Sequence, residues 1–333
     1  MADLTWQAGA HVAALAFDAG GRLGLALGDG RVQIVRGDKR IDLACQDGAM
    51  SALVAQGPDL IAGGDDGRLR RIAADDSPAE IAAWPGQWIE HLAVDGGRVL
   101  AGVGKRAVLI EADGRQKSFL HPSTVGGVAF FPGGKRVAVA HYGGVSLWWT
   151  KPETQEPKRL AWKGSHLAVA VSPDGKYVVT AMQENALHGW RLADAQDMRM
   201  SGYAAKPRSF AFAARPNLLV TSGADVIVAW PFSGPGPMGK PPLELGGLGG
   251  PLVMRVACHP SQPIAAAGYE SGAIQLVDLA GRRGVGLREG GEAPITALAF
   301  SPGGERLAFG SDAGEAGLID LAALALDAKR QTV

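Results

Sequence analysis

One layout recurs eight times along the chain, and it limits the fold more than any other feature. Each copy holds an alternating apolar stretch, a Gly/Pro/Asp turn, a second stretch, a small-residue turn and a third stretch. Examples are HVAALAFDAGGRLGLALGDGRVQIV from His11, TVGGVAFFPGGKRVAVAHYGGVSLW from Thr124 and PITALAFSPGGERLAFGSDAGEAGLI from Pro294. The copies start near residues 11, 48, 88, 124, 165, 206, 252 and 294. Each third stretch ends on an apolar anchor: Val35, Ile72, Ile110, Trp148, Trp190, Trp230, Val277 and Ile319. Successive anchors lie 37 to 47 residues apart. Apolar residues alternate with period two, as in Val12-Ala13-Ala14-Leu15-Ala16-Phe17, so the stretches read as strands. Turn signals recur at Gly20-Gly21, Asp29-Gly30, Asp66-Gly67, Gly133-Gly134, Pro173-Asp174-Gly175 and Pro302-Gly303-Gly304. The 48 glycines follow from that turn density.

A period near forty residues with short strands is the pattern of a propeller blade. At this level of detail the copies resemble WD repeats. The Ser172-Pro173-Asp174-Gly175 and Ser301-Pro302-Gly303-Gly304 turns match that family's first hairpin, and Trp148, Trp190 and Trp230 match its tryptophan. Asp278 and Asp320 match the aspartate that follows it. The resemblance covers nearly the whole chain. It implies an all-β fold: a single closed propeller over residues 1–333. Eight four-stranded blades are expected, with seven as the alternative. The N-terminal segment, residues 1–10, would close the ring with a strand at Leu4–Gln7, and residues 322–333 would form a C-terminal tail. Departures are clear too. The other five anchors are Val or Ile, and the Gly-His dyad is missing. The family's internal His–Asp–Ser–Trp network is therefore expected to be largely absent.

The chain carries 33 basic and 33 acidic side chains, so no basic excess points to nucleic acid. No apolar run approaches a membrane span, and the first residues hold no leader pattern. With Cys45 and Cys258 as the only cysteines, the expected compartment is the cytoplasm. Gly234-Pro235-Gly236-Pro237-Met238-Gly239-Lys240 mimics a phosphate loop. However, two of its N–H groups are lost to proline, and Pro241 replaces the magnesium-binding hydroxyl residue. It reads as a stiff loop. Cys258-His259 reads as a core thiol beside a turn histidine, and the seven histidines show no metal-ligand spacing. No nucleophile elbow, EF-hand loop or paired-carboxylate motif occurs. No cofactor, no metal and no catalytic residue are assigned.

The resemblance implies a non-enzymatic scaffold, monomeric on its own, that binds one or more proteins. A small-ligand or metal-dependent propeller, a hydrolase among the options, is the alternative. WD-repeat partners contact the face made by strand starts and the turn between the second and third strands. Carried onto this sequence, those places hold His11, Trp88, Glu90, His141, Tyr142, Gln183, Arg208, Tyr269 and Glu270. Trp88 is the leading anchor, because an aromatic on a rim supplies contact area at low entropic cost.

Overall fold

The computed structural model describes residues 2–152, 156–291 and 293–322. Among them thirty strands form seven antiparallel sheets, six of four strands and one of six. Of the expected tail, all but Ala322 lies outside the described residues.

Within each repeat the four strands, lettered a to d in chain order, form a simple meander. Burial explains the composition of each. Strand b lies under both neighbours and is buried throughout, as in Leu23–Leu27 and Tyr177–Met182. It therefore reads as a continuous apolar run rather than an alternation. Strand d forms the outer edge and is mostly exposed, as in Lys39–Ala44 and Gln196–Ser201. Charged and polar side chains there discourage pairing with a second chain.

The repeat starting near 294 differs. Its fourth strand is Ala2–Gln7, which pairs antiparallel with Glu315–Asp320 at the far end of the chain. Trp6 anchors this strand. It is nearly buried, packs in the cluster of Val12, Leu25 and Ala316, and donates its indole N–H to Gln33 Oε1 at 2.7 Å.

The expectation of eight separate four-stranded blades is corrected: the sheets number seven. The reason lies in the repeats starting near 124 and 165. Strands b and c of the first run together as Arg136–Trp149, bending at Tyr142-Gly143-Gly144. Strand d then continues into strand a of the next repeat as Lys158–Val171. Its first part pairs with residues 142–147 and its second part with Val178–Met182. One six-stranded ladder thus carries two repeats, and no repeat stands outside the sheets.

The chain divides into two compact units. One, the middle unit, comprises residues 30–32 and 42–207. The other, the terminal unit, comprises residues 1–29, 33–41 and 208–333. Within each, neighbouring repeats pack by the same device. A β-branched residue at or just before the start of strand a sits on a glycine in strand b of the repeat before it. The pairs are Ile89 on Gly63 and Val125 on Gly102 in the middle unit, and Ile295 on Gly268 and Val12 on Gly310 in the terminal unit. All four β-branched residues are buried. A methyl group added at Gly310 would stand 2.4 Å from Val12 Cγ1. Gly310→Ala is therefore expected to destabilise by about 1–3 kcal/mol through overpacking. Combining it with Val12→Ala should cost clearly less than the sum of the two single changes. Urea denaturation of the four proteins reads this coupling, and strict additivity would refute the knob-and-hole account.

Candidate functional site

In the middle unit a short loop leads from strand d of one repeat to strand a of the next. Trp84 N donates to Gly67 O at 2.8 Å, and Gln87 N donates to Trp84 O at 3.0 Å, closing a tight turn. Gly67, at φ 78°, makes this possible, since a Cβ there would lie 2.2 Å from Trp84 O. Ile89 N then donates to Gly64 O, and the Ile89 side chain enters the core. Its neighbours Trp88 and Glu90, in the loop before the strand, are exposed. Trp88 is 62 % exposed, whereas Trp84 packs partly buried against the core of the same unit. Trp88 lines an open cleft with Glu90, His91, Gly104 and Thr124. Next to Thr124, Ser123 Oγ accepts the backbone N–H of Tyr142 at 2.9 Å. The Trp88 cleft and the Tyr142 turn are thus joined through consecutive residues. Tyr142 is also 62 % exposed.

Not every residue singled out from the sequence reaches the surface. Trp88, Glu90, Tyr142 and Gln183 are exposed in the middle unit, and Arg208 and Glu270 in the terminal unit. His11 is half-buried, with Nδ1 2.8 Å from Asp312 Oδ1. Gln183 Oε1 accepts from Lys206 Nζ at 2.8 Å, and Glu270 Oε1 accepts from Leu252 N at 3.0 Å. Two residues are corrected. His141 is buried: its Nδ1 lies 2.8 Å from Tyr142 O and its Nε2 2.9 Å from Ser146 Oγ. Tyr269 is 0 % exposed and donates its hydroxyl to Gln275 Oε1 at 3.0 Å. Burial pushes its pKa up to about 12. Both close strand b at equivalent places, facing Val125 and Val253 of strand a, and both point inward. The residues after them, Tyr142 and Glu270, point outward.

Of the His–Asp–Ser–Trp network, expected to be largely absent, parts are found in and beside the six-stranded sheet. Trp148 donates its indole N–H to His121 Nε2 at 3.0 Å. His166 Nδ1 meets Thr180 Oγ1 at 2.7 Å, and its Nε2 meets Trp162 O at 3.0 Å. His188 stacks on Trp162 with ring centroids 3.9 Å apart. Burial is the main cause that lowers the pKa of His121, His141, His166 and His188; for His121 and His188 it falls to about 4. His91, lining the Trp88 cleft, is pushed to about 4 by burial alone.

Chemistry-bearing groups elsewhere are held in structural roles. His259 Nδ1 accepts from the backbone N–H groups of Ser261 and Gln262. The Cys258 thiol is pushed by burial up to about 12, far from a reactive thiolate. Lys240 spends its ammonium on Ser233 O at 2.8 Å. Among the described residues no group of three or more His, Cys, Asp or Glu is placed to hold a metal ion. No helix among them is long and apolar enough to cross a membrane.

No protein-family model matches the chain, and no curated protein matches it. Solved structures do. The crystal structure of the computationally designed Ika8 protein superposes with a TM-score of 0.76, over 94 % of this chain and 97 % of that one. The two sequences are 18 % identical, so the likeness speaks for the fold alone. The fold is an all-β propeller built from repeated antiparallel blades.

Proposed function

We propose that the chain is a WD-repeat-type interaction module, working without turnover, that binds a protein partner through the face around Trp88 and Tyr142. The observation that carries this reading is Trp88: a large aromatic, 62 % exposed, on a backbone fixed by two hydrogen bonds and a positive-φ glycine. Rigid aromatic anchors lose little entropy on binding and dominate interface energetics. Tyr142 extends the apolar area, and Glu90, which makes no ion pair among the described residues, gives the face a negative charge for partner selection. The rigid repeated sheets present these groups, and the WD-like tryptophans and Ser-Pro-Asp-Gly turn support the family assignment.

Because Trp88 projects into solvent, Trp88→Ala should change stability by no more than about 0.5 kcal/mol. Its effect on the partner should be large, about 2 kcal/mol or some thirtyfold in affinity. Affinity capture from native lysate, with wild type beside Trp88→Ala, tests this. A partner retained equally by both proteins moves the interface to another face. Failure of wild type to retain any protein reproducibly removes the scaffold reading.

A further inference from the structure

In the terminal unit two arginines are brought together with no carboxylate to answer them. Arg208 stands just before the strand Phe210–Phe212, and Arg255 lies within the neighbouring strand Val253–Cys258. The two backbones are pinned to each other by Ser209. Its Oγ donates to Val256 O at 3.2 Å and accepts from Val256 N at 3.1 Å. The Arg208 backbone is fixed as well, donating to Ser222 Oγ at 3.1 Å. The juxtaposition of the two backbones is therefore part of the fold.

The hydrogen bonding of the two guanidinium groups is incomplete. Arg255 reaches only backbone carbonyls: Nε donates to Thr296 O, and Nη1 donates to Arg208 O at 3.4 Å. Its Nη2 has no acceptor among the described residues. The Arg208 guanidinium has no acceptor there at all, and neither arginine forms an ion pair. Arg255 is half-buried. Burial and then the neighbouring Arg208 charge hold its pKa below the usual arginine value. A partly desolvated charge at Arg255 with the like charge of exposed Arg208 beside it is costly unless an anion joins them. Elsewhere in the fold, buried Arg22 is answered by Asp18 and half-buried Arg288 by Glu315.

We propose that Arg208 and Arg255 form a binding site for one oxyanion group, a carboxylate or a phosphoryl, carried by a free small anion or by a larger ligand. The planar forks of the two side chains suit the oxygens of such a group, which would take the open N–H donors. This proposal does not rest on the Trp88 interface.

The test is thermal unfolding at fixed ionic strength, with chloride replaced stepwise by inorganic phosphate, and in a second series by acetate. A saturable rise in melting temperature is expected for wild type in phosphate, beyond what chloride gives. Acetate should give the same kind of rise if any single oxyanion suffices; a rise with phosphate alone narrows the ligand to phosphoryl groups. Arg208→Gln should weaken the half-saturating concentration by about tenfold or more. The Arg208 side chain holds up no neighbour, so that variant keeps its fold. Arg255→Gln should do the same where it folds. A melting temperature indifferent to phosphate, or an identical response in Arg208→Gln, would overturn the proposal.

Discussion

Taking the protein from pH 7.5 to pH 5 is expected to cost about 6 kcal/mol of stability, from three histidines alone. His91, His121 and His188 each have a folded-state pKa of about 4, against an ordinary value of 6.5. A lowered pKa means that the unfolded chain takes up its proton first as the pH falls. Stability is therefore complete above pH 6.5 and is lost progressively down to pH 4. At pH 5 each histidine accounts for about 2 kcal/mol. Together they match a sizeable part of the 5–15 kcal/mol that usually holds a domain folded. The physical causes differ. His91 is desolvated by burial alone. His121 is desolvated and also faces His141 and Arg159. His188 is desolvated, opposed by Asp197 and aided by His166 and Arg199. His188→Phe keeps an aromatic ring on Trp162 and removes the proton site. It should shrink the difference between pH 7.5 and pH 5 by about 2 kcal/mol. Urea midpoints of both proteins at both pH values measure this. An undiminished difference in His188→Phe would show that this histidine is already charged or already exposed in the native protein.

Removing Trp6 should be nearly as damaging at neutral pH. Trp6→Ala deletes a buried indole from the core formed with Leu25 and Val12, a loss of about 3–5 kcal/mol. It also removes the indole N–H that Gln33 Oε1 accepts in a buried place, adding to the cost. Arg40, 5.0 Å over the ring, loses its aromatic partner as well. The total expected is about 4–6 kcal/mol. Trp6→Phe separates these contributions. It keeps most of the apolar packing, removes the indole hydrogen bond to Gln33, and should cost about 1–3 kcal/mol. Equal losses in the two variants would mean that the hydrogen bond, and not packing, ties the first strand down.

The repeats were legible because the first strand of each alternates with period two, as in Val12–Phe17, and because turns place glycine and proline at recurring intervals. The same rule decides which candidate residues face out. His141 and Tyr269 end strand b opposite Val125 and Val253 and point inward, while Tyr142 and Glu270, one place on, point outward. A shift of one residue exchanges the two faces of a strand, so a window of turn residues mixes core with surface. Two other features left no local trace. The joining of two repeats into one ladder depends on Gly144, whose φ of 138° carries the strand through the bend, and on bulges near Gly143 and Leu167. The Arg208–Arg255 pair is made by residues 47 positions apart, pinned by a serine between repeats. Nothing in either local sequence signals the other.

The pairing of Ala2–Gln7 with Glu315–Asp320 also has a consequence in time. The strand is synthesised roughly 300 residues before its partner. At about 5–20 residues per second, translation leaves it waiting for roughly 15–60 s. During that interval Trp6 lacks the last repeat's share of its core, and the backbone donors and acceptors of the strand are open to any unpaired edge nearby. A nascent chain built this way completes this sheet only once Glu315–Asp320 has been made. The interval before that moment is when a chaperone, or a second copy of the chain, has its opportunity to bind the first strand.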